Sequence, residues 1–151
     1  MTQVVHQELT SEMISFLQGE KLVLLCTIDH ETGEPNVTCI SWVLANSPSE
    51  IQFAIDPRSR VIDNLNAASA CTLSFIGLGS CFAISGHGHS DGEQLPGVSI
   101  KMTGVKVKVQ EIRDVLFYGG KISQEPDYVK TYDAELAKKL DGAVYAALGK
   151  E

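Results

Sequence analysis

Glu50–Leu65, with the sequence EIQFAIDPRSRVIDNL, decides the fold because it contains a strand, a turn and the start of a helix. Apolar residues occupy alternate positions in its first half, which predicts a short β-strand with one apolar face. Asp56-Pro57 interrupts this pattern. Beyond it, apolar residues recur at helical spacing, and Asp56 or Ser59 is the candidate N-cap. The apolar positions are Ile51, Phe53 and Ile55 in the strand, and Val61, Ile62, Leu65 and Ala68 in the helix.

The predicted helix start carries a cluster of hydrogen-bond donors, Arg58, Ser59 and Arg60. The chain has three arginines, and two of them are in this cluster. Free backbone N–H groups, a hydroxyl and two guanidinium groups at a helix N-terminus suit a phosphate or another oxyanion. A solvated helix start with charged side chains is the alternative interpretation of the same residues.

Composition indicates one globular domain, residues 1–151, because a chain of 151 residues with 44% hydrophobic and 21% charged residues can bury one proper core. The formal net charge of −7 argues against a nucleic-acid partner. No apolar run is long enough for a bilayer, and residues 1–7 lack the pattern of a signal peptide. We therefore expect no membrane association and a cytoplasmic protein.

The cysteines and histidines give little evidence for a metal site. Four cysteines lie in apolar, strand-like surroundings without C-x-x-C spacing, so we interpret them as buried thiols and predict neither zinc nor disulfides. His87 and His89 would point to the same side of an extended strand. They fit a barrel edge better than a metal or haem contact, and we predict no metal ligands. The cysteines are Cys26, Cys39, Cys71 and Cys81.

The remainder of the chain reads mainly as strands. A short helix capped by Thr10 or Ser11 precedes them, and an amphipathic helix with Leu136, Leu140, Val144 and Leu148 follows. Strands are predicted over 22–28, 35–45, 50–55, 70–76, 80–90 and 100–112, the first of them covered on both faces. Val105, Val107 and Val109 should point inward, with Lys106, Lys108 and Gln110 outward. This order predicts a mainly β fold, a small antiparallel barrel with helices.

Three segments, in this order and spacing, resemble the pyridoxamine 5′-phosphate oxidase-like FMN-binding split-barrel family. They are LLCTIDHETGEP at 24–35, ISWV at 40–43 and FAIDPRSR at 53–60, and the likeness extends over roughly residues 8–112. The resemblance implies a split β-barrel over residues 21–112, a homodimer and FMN held in grooves at the dimer interface. Independently, strands 21–28 and 35–45 have too little polar surface for a solvated sheet face, which also favours a dimer.

The same resemblance implies cofactor-binding residues by position. One strand would lie along the isoalloxazine, partly through main-chain groups, the neighbouring strand would flank the flavin, and the helix start would hold the phosphate. The residues are Thr38, Cys39, Ile40 and Ser41 along the ring, Phe53, Ala54 and Ile55 beside it, and Arg58, Ser59 and Arg60 at the phosphate.

The chain also departs from the true oxidases of that family. These carry basic residues where Thr38 and Val43 stand, and a C-terminal arginine and histidine for the substrate phosphate, whereas this chain has no arginine after Arg113. We therefore expect that it does not oxidise pyridoxamine 5′-phosphate. The prediction is an FMN-dependent oxidoreductase of an unidentified small molecule, with the chemistry supplied by the cofactor and no catalytic residue assigned. The alternatives are a non-catalytic flavin- or haem-binding protein for storage, sensing or stress, and a deazaflavin in place of FMN.

Overall fold

The computed structural model describes residues 4–149 and contains eight strands and three helices within that range. The mainly β fold predicted from the sequence is confirmed. In chain order the elements are β1 Val4–His6, α1 Ser11–Phe16, β2 Val23–Ile28, β3 Pro35–Ile40, β4 Val43–Ser47, β5 Glu50–Ile55, α2 Arg60–Ala67, β6 Ala70–Gly77, β7 Ser80–His89, β8 Thr103–Asp114 and α3 Ala134–Ala147. The short strand β1 was not among the predicted strands.

All strands form one curled antiparallel sheet with the order β3-β2-β6-β7-β8-β5-β4, and β1 also pairs with β8. The two end strands of this order, β3 and β4, are neighbours in the sequence. This arrangement is the split barrel that the sequence predicted.

The predicted continuous strand over 35–45 is wrong, because the chain breaks at Ser41-Trp42. Before the break β3 pairs with β2, and after it β4 pairs with β5, so the chain must change partners between Ile40 and Val43. The carbonyl oxygen of Trp42 accepts a hydrogen bond from the Ala54 N–H at 3.0 Å, and that of Ser41 accepts one from the Tyr145 hydroxyl at 3.3 Å. These bonds fix the link across the opening of the barrel.

The core lies inside the curl of the sheet, and β8 shows the alternation most clearly. Val105, Val107 and Val109 are buried, whereas Lys106, Lys108 and Gln110 are exposed, as predicted. The largest side chains that are almost completely buried include Phe53, Phe75, Leu25, Ile84 and Ile112. The strand period of two therefore separates one filled face from one open face.

Strands β2 and β3 present what we call the inner and outer faces. The inner face of β2 is buried, but its outer residues are only half-buried or exposed, so the predicted coverage of this strand on both faces is wrong within the single chain. Directly opposed residues of antiparallel strands share a face. The inner face consists of Val23, Leu25, Thr27, Asn36, Thr38 and Ile40, and the outer face of Leu24, Cys26, Ile28, Pro35, Val37 and Cys39.

The outer face also corrects the prediction of four buried thiols. Only Cys71 is buried, while Cys26 and Cys81 are half-buried and Cys39 is exposed. Apolar neighbours in the sequence did not ensure burial, since Cys39 lies opposite Leu24 on the outer face. Burial raises the pKa of the Cys71 thiol to about 11.

The terminal helices close two sides of the barrel. Thr10 caps α1 by accepting a hydrogen bond from the Met13 N–H at 3.2 Å, as predicted. In the C-terminal region Leu140, Val144 and Leu148 are buried, but Leu136 is largely exposed, so the predicted apolar stripe begins one turn later. No helix among residues 4–149 is both long and apolar enough to cross a bilayer.

Candidate functional site

The start of α2 follows β5 after a four-residue turn. Ser59 is the N-cap, and its hydroxyl oxygen accepts a hydrogen bond from the Val61 N–H at 3.1 Å. Asp56, the other candidate cap, instead accepts from the Arg58 N–H at 2.8 Å and so stabilises the turn itself. The prediction that one of these two residues caps the helix is confirmed for Ser59.

Arg58 forms an ion pair with Asp56 in the turn. Its Nε and Nη2 donate to the two carboxylate oxygens at 3.1 and 2.9 Å. These bonds, together with the backbone bond from the Arg58 N–H, lower the pKa of Asp56 to about 2. The Arg58 side chain is 79% exposed and its partner 41% exposed, so the pair lies in water on the surface of the turn.

Arg60 forms a second ion pair, with Asp29 in the turn between β2 and β3. Its Nε donates to Oδ2 at 2.7 Å and its Nη2 to Oδ1 at 3.4 Å. Asp29 is 6% exposed and also accepts hydrogen bonds from the N–H groups of Glu31 at 2.9 Å and Thr32 at 3.0 Å. The hydrogen bond from Arg60 and these backbone bonds hold the Asp29 pKa well below its usual range.

A buried amide, Asn64, joins α2 to the same hairpin. Its Nδ2 donates to Thr27 Oγ1 at 3.0 Å and to Asn36 Oδ1 at 2.9 Å. Its Oδ1 accepts from the His30 N–H at 2.9 Å and lies 3.0 Å from the His30 Nδ1. Because a backbone N–H can only donate, the Asn64 atom is the oxygen, and His30 Nδ1 carries a proton. Asn64 thus holds the helix in a fixed position against β2 and β3.

These contacts bring the three predicted cofactor-binding segments together. The bond between Asn64 and Asn36 joins α2 to β3, and the bond between Ala54 and Trp42 joins β5 to the link that follows β3. Thr38 and Ile40 are half-buried on the inner face, on the same side of β3 as Asn36, whereas the Cys39 side chain is exposed on the outer face. We define the α2–β3 site as Asn36, Thr38, Ile40, Ser59, Arg60 and Asn64.

The residues predicted to flank the flavin from β5 are all buried. Phe53 is 0% exposed and belongs to the main core, and Ala54 and Ile55 are also buried. Their side chains therefore pack in the protein interior and not on an open surface.

A second polar cluster lies behind the link. The Trp42 Nε1 donates to Asp141 Oδ1 at 2.7 Å, and the Lys130 Nζ donates to the same oxygen at 3.2 Å. The Lys130 Nζ also lies 5.9 Å from the centre of the Trp42 ring. Trp42 packs at the edge of a small cluster with α3. This cluster borders a cavity of about 780 Å³ lined by Tyr128, Tyr132 and Tyr145, among others.

The two histidines predicted at a barrel edge lie on β7 and are exposed. His87 Nδ1 is 2.9 Å from the Ser69 hydroxyl. His89 lines a separate cavity of about 690 Å³ beneath the loop over residues 90–96. Within residues 4–149, no three or more His, Cys, Asp or Glu side chains converge as metal ligands would.

The sequence interpretation missed Asp29, Asn36 and Asn64. Asp29 begins the turn between β2 and β3, and an aspartate in that position commonly accepts N–H bonds from the residues after it, which is a signal for its role. The sequence contained a weak signal for the role of Asn64, because an amide on the apolar side of a short helix needs several hydrogen-bond partners. Its partners come from residues 28–37 positions away, which sequence spacing cannot show.

The α2–β3 site combines a half-exposed guanidinium, a helix N-terminus and a strand at the end of the sheet. These groups can donate hydrogen bonds to a phosphate and present backbone groups to a flat polar ring. Ser59 contributes a hydroxyl proton, since its oxygen is engaged as an acceptor in the cap. The donor set therefore fits a phosphorylated ring such as FMN.

The fold and this site define a single-domain split-barrel protein with an oxyanion-compatible helix start. The family described as pyridoxamine 5′-phosphate oxidase matches residues 9–128, and the chain belongs to this family. No curated protein matches the chain at a significant level.

Solved structures support the fold. A candidate pyridoxamine 5′-phosphate oxidase from Lactobacillus delbrueckii is 17% identical, with a TM-score of 0.64 over 74% of this chain and 98% of that one. HupZ from Group A Streptococcus is 13% identical, with a TM-score of 0.59 over 77% and 99%. A protein described as an F420 reductase is 13% identical, with a TM-score of 0.55 over 69% and 98%. At these identities the likeness concerns the fold alone.

Proposed function

We propose that this protein binds FMN in the α2–β3 site of a homodimer and is a flavin-dependent oxidoreductase acting on a small molecule. The observation that carries the proposal is Arg60, half-exposed at the start of α2 and fixed by a buried carboxylate beside β3. Membership in the pyridoxamine 5′-phosphate oxidase family supports it. The similarity to a protein described as an F420 reductase makes a deazaflavin the alternative ring system.

Different residues of the site would hold different parts of the cofactor. Arg60 and the Ser59 hydroxyl would donate to the phosphate, with the first N–H groups of α2 nearby. β3 ends the strand order of the sheet, so alternate backbone groups between Thr38 and Ser41 point away from β2 and could pair with the polar edge of the ring. When bound, FMN would supply the electron-transfer chemistry. The protein would then need to bind, orient and shield the ring, which agrees with the absence of an assigned acid or base.

The outer face supports the homodimer. None of its six residues is charged, and their partners on β6, Thr72 and Ser74, are uncharged as well. Val37 is 63% exposed and Ile28 40% exposed in the single chain. A contiguous uncharged face of this kind is typical of a surface that a second copy covers.

The first test of the proposal is an FMN titration. We expect the wild-type protein to quench flavin fluorescence with saturable, stoichiometric binding, and Arg60→Ala to weaken FMN roughly tenfold or more because a charge-assisted hydrogen bond is lost. Riboflavin, which lacks the phosphate, should lose little affinity in the same variant. Absence of flavin binding by the wild-type protein would overturn the proposal.

A second measurement separates an enzyme from a flavin carrier. The flavin-loaded protein is mixed anaerobically with NADH or NADPH, and the visible flavin absorbance is followed. Reduction at a catalytic rate, followed by reoxidation with an added acceptor, supports an oxidoreductase. Flavin that stays oxidised with both donors would support the non-catalytic alternative of storage or sensing.

A further inference from the structure

Arg60 uses only part of its hydrogen-bond donors to bind Asp29. A guanidinium has five N–H groups, and the Nε and Nη2 hydrogens form one of its two-pronged sides. In Arg60 this side faces the Asp29 carboxylate, with distances of 2.7 and 3.4 Å. The opposite side, formed by Nη1 and the second Nη2 hydrogen, is directed away from Asp29. Arg60 Nη2 also lies 3.8 Å from Glu31 Oε1, which is beyond hydrogen-bond distance, so the opposite side of the guanidinium remains available to a ligand on a side chain that is 53% exposed.

Backbone hydrogen bonds within the turn hold Asp29 independently of its ion pair with Arg60. Its carboxylate accepts the N–H groups of Glu31 and Thr32, its backbone carbonyl accepts the Gly33 N–H at 2.9 Å, and its own N–H donates to Glu34 at 2.7 Å. The turn thus determines the position of the carboxylate. The long and half-exposed arginine side chain is the partner that adapts, so the carboxylate sets the orientation of the guanidinium.

The neighbouring ion pair offers a contrast inside the same turn. Arg58 also turns its Nε and Nη2 side to a carboxylate, but Asp56 is only two residues away and is 41% exposed. Both partners therefore belong to one local segment. The pair of Arg60 and Asp29, in contrast, bridges two distant elements, the start of α2 and the β2–β3 turn.

We propose that Asp29 is a positioning residue that aims the free side of Arg60 at the phosphate of the bound cofactor. This inference rests on the proposed function, since it assigns a role to a residue that supports that site. A bidentate side-on pair restricts the guanidinium plane, and a pre-oriented donor loses less conformational freedom when the ligand binds. The opposite possibility, in which the carboxylate competes with the phosphate for Arg60, gives the opposite result in the test.

The test compares Asp29→Asn with Asp56→Asn in the full-length protein. An asparagine at position 29 can still accept the two N–H bonds of the turn through its Oδ1, but it lacks the negative charge that holds Arg60. Asp56→Asn makes the same chemical change at the local pair and is the matched control. Each variant is titrated with FMN and with riboflavin, and circular dichroism checks that each remains folded.

We expect Asp29→Asn to reduce the preference for FMN over riboflavin roughly tenfold, and Asp56→Asn to leave it unchanged. Asp29→Glu should restore part of the preference, because it returns the charge. An unchanged or increased preference in Asp29→Asn would overturn the inference, and an increase would mean that Asp29 competes with the ligand. If the wild-type protein binds FMN and riboflavin equally, the phosphate role in the proposed function fails instead, which separates the two outcomes.

Discussion

The inner and outer faces of β2 and β3 differ sharply although neither face carries a charged residue. On the inner face Val23 and Leu25 join the core, and Asn36 and Thr27 satisfy the buried amide of Asn64. On the outer face Val37 and Cys39 remain exposed in the single chain. The inner face therefore builds the domain and positions α2, whereas the outer face has no such role within residues 4–149. Apolar character alone therefore does not show which face a chain fills by itself.

The largest effect should come from the core enclosed by the inner face. Phe53→Ala removes a fully buried ring from the main cluster and should lower the free energy of unfolding by about 3–5 kcal/mol, through lost burial and the cavity left behind. Val129→Ala, at a side chain that is 81% exposed, is the matched control and should change it by no more than about 0.5 kcal/mol. Urea unfolding followed by circular dichroism measures both. Similar losses for the two variants would contradict the assigned core.

The outer face should control assembly. Val37→Lys places a charge in the middle of this face and should convert the proposed dimer into a 16.3 kDa monomer without unfolding it. Light scattering gives the mass, and circular dichroism shows whether the strands persist. Ser99→Lys, in an exposed loop, adds the same charge elsewhere and should leave the dimer intact. If the wild-type protein is already monomeric, the proposed role of the outer face in assembly is wrong.

The turn that joins β2 and β3 should make the free energy of unfolding depend on pH. The pKa of Asp29 is lower in the folded protein than its ordinary value of 3.8, so ionised Asp29 stabilises the fold. This stabilisation is complete above about pH 5 and is lost as the pH falls through 3.8 towards the lowered value. Asp29→Asn should therefore melt below the wild type at pH 7. The difference between the two melting temperatures should shrink steadily as the pH falls below about 4, and a constant difference would contradict the ion pair.

The smallest effect concerns thiol reactivity on the two faces. Cys71 is buried with a pKa raised to about 11, so it should react slowly with iodoacetamide at pH 8. Cys39 is exposed in the single chain and, if the proposed dimer forms, should react much faster in the monomeric Val37→Lys variant than in the wild-type protein. Peptide mass spectrometry after timed quenching gives the two rates. Equal Cys39 rates in both proteins would show that the dimer leaves this part of the outer face open.

Local patterns predicted much of the fold. The alternation in β8, the strand–turn–helix order of β5 and α2 and the Ser59 cap all followed from residues close together in the sequence. The break at Ser41-Trp42 did not, because it results from β3 and β4 choosing different partners. In the site, Arg60 was predicted but its partner Asp29 was not, since 31 positions separate them. The exposure of the outer face in the single chain also escaped prediction, because the same apolar residue suits a core or an interface.

The two-residue link of Ser41 and Trp42 has a consequence for how related sequences can vary in length. It spans the opening of the barrel and is tied to β5 and α3 through its carbonyl groups. An inserted residue there would displace the strand register on one side and turn its side chains to the opposite face. The loop tip over residues 91–93 has no such restriction, because it is exposed, its hydrogen bonds are local, and it can lengthen into solvent at small entropic cost. Insertions and deletions among relatives should therefore accumulate in that loop and avoid the link.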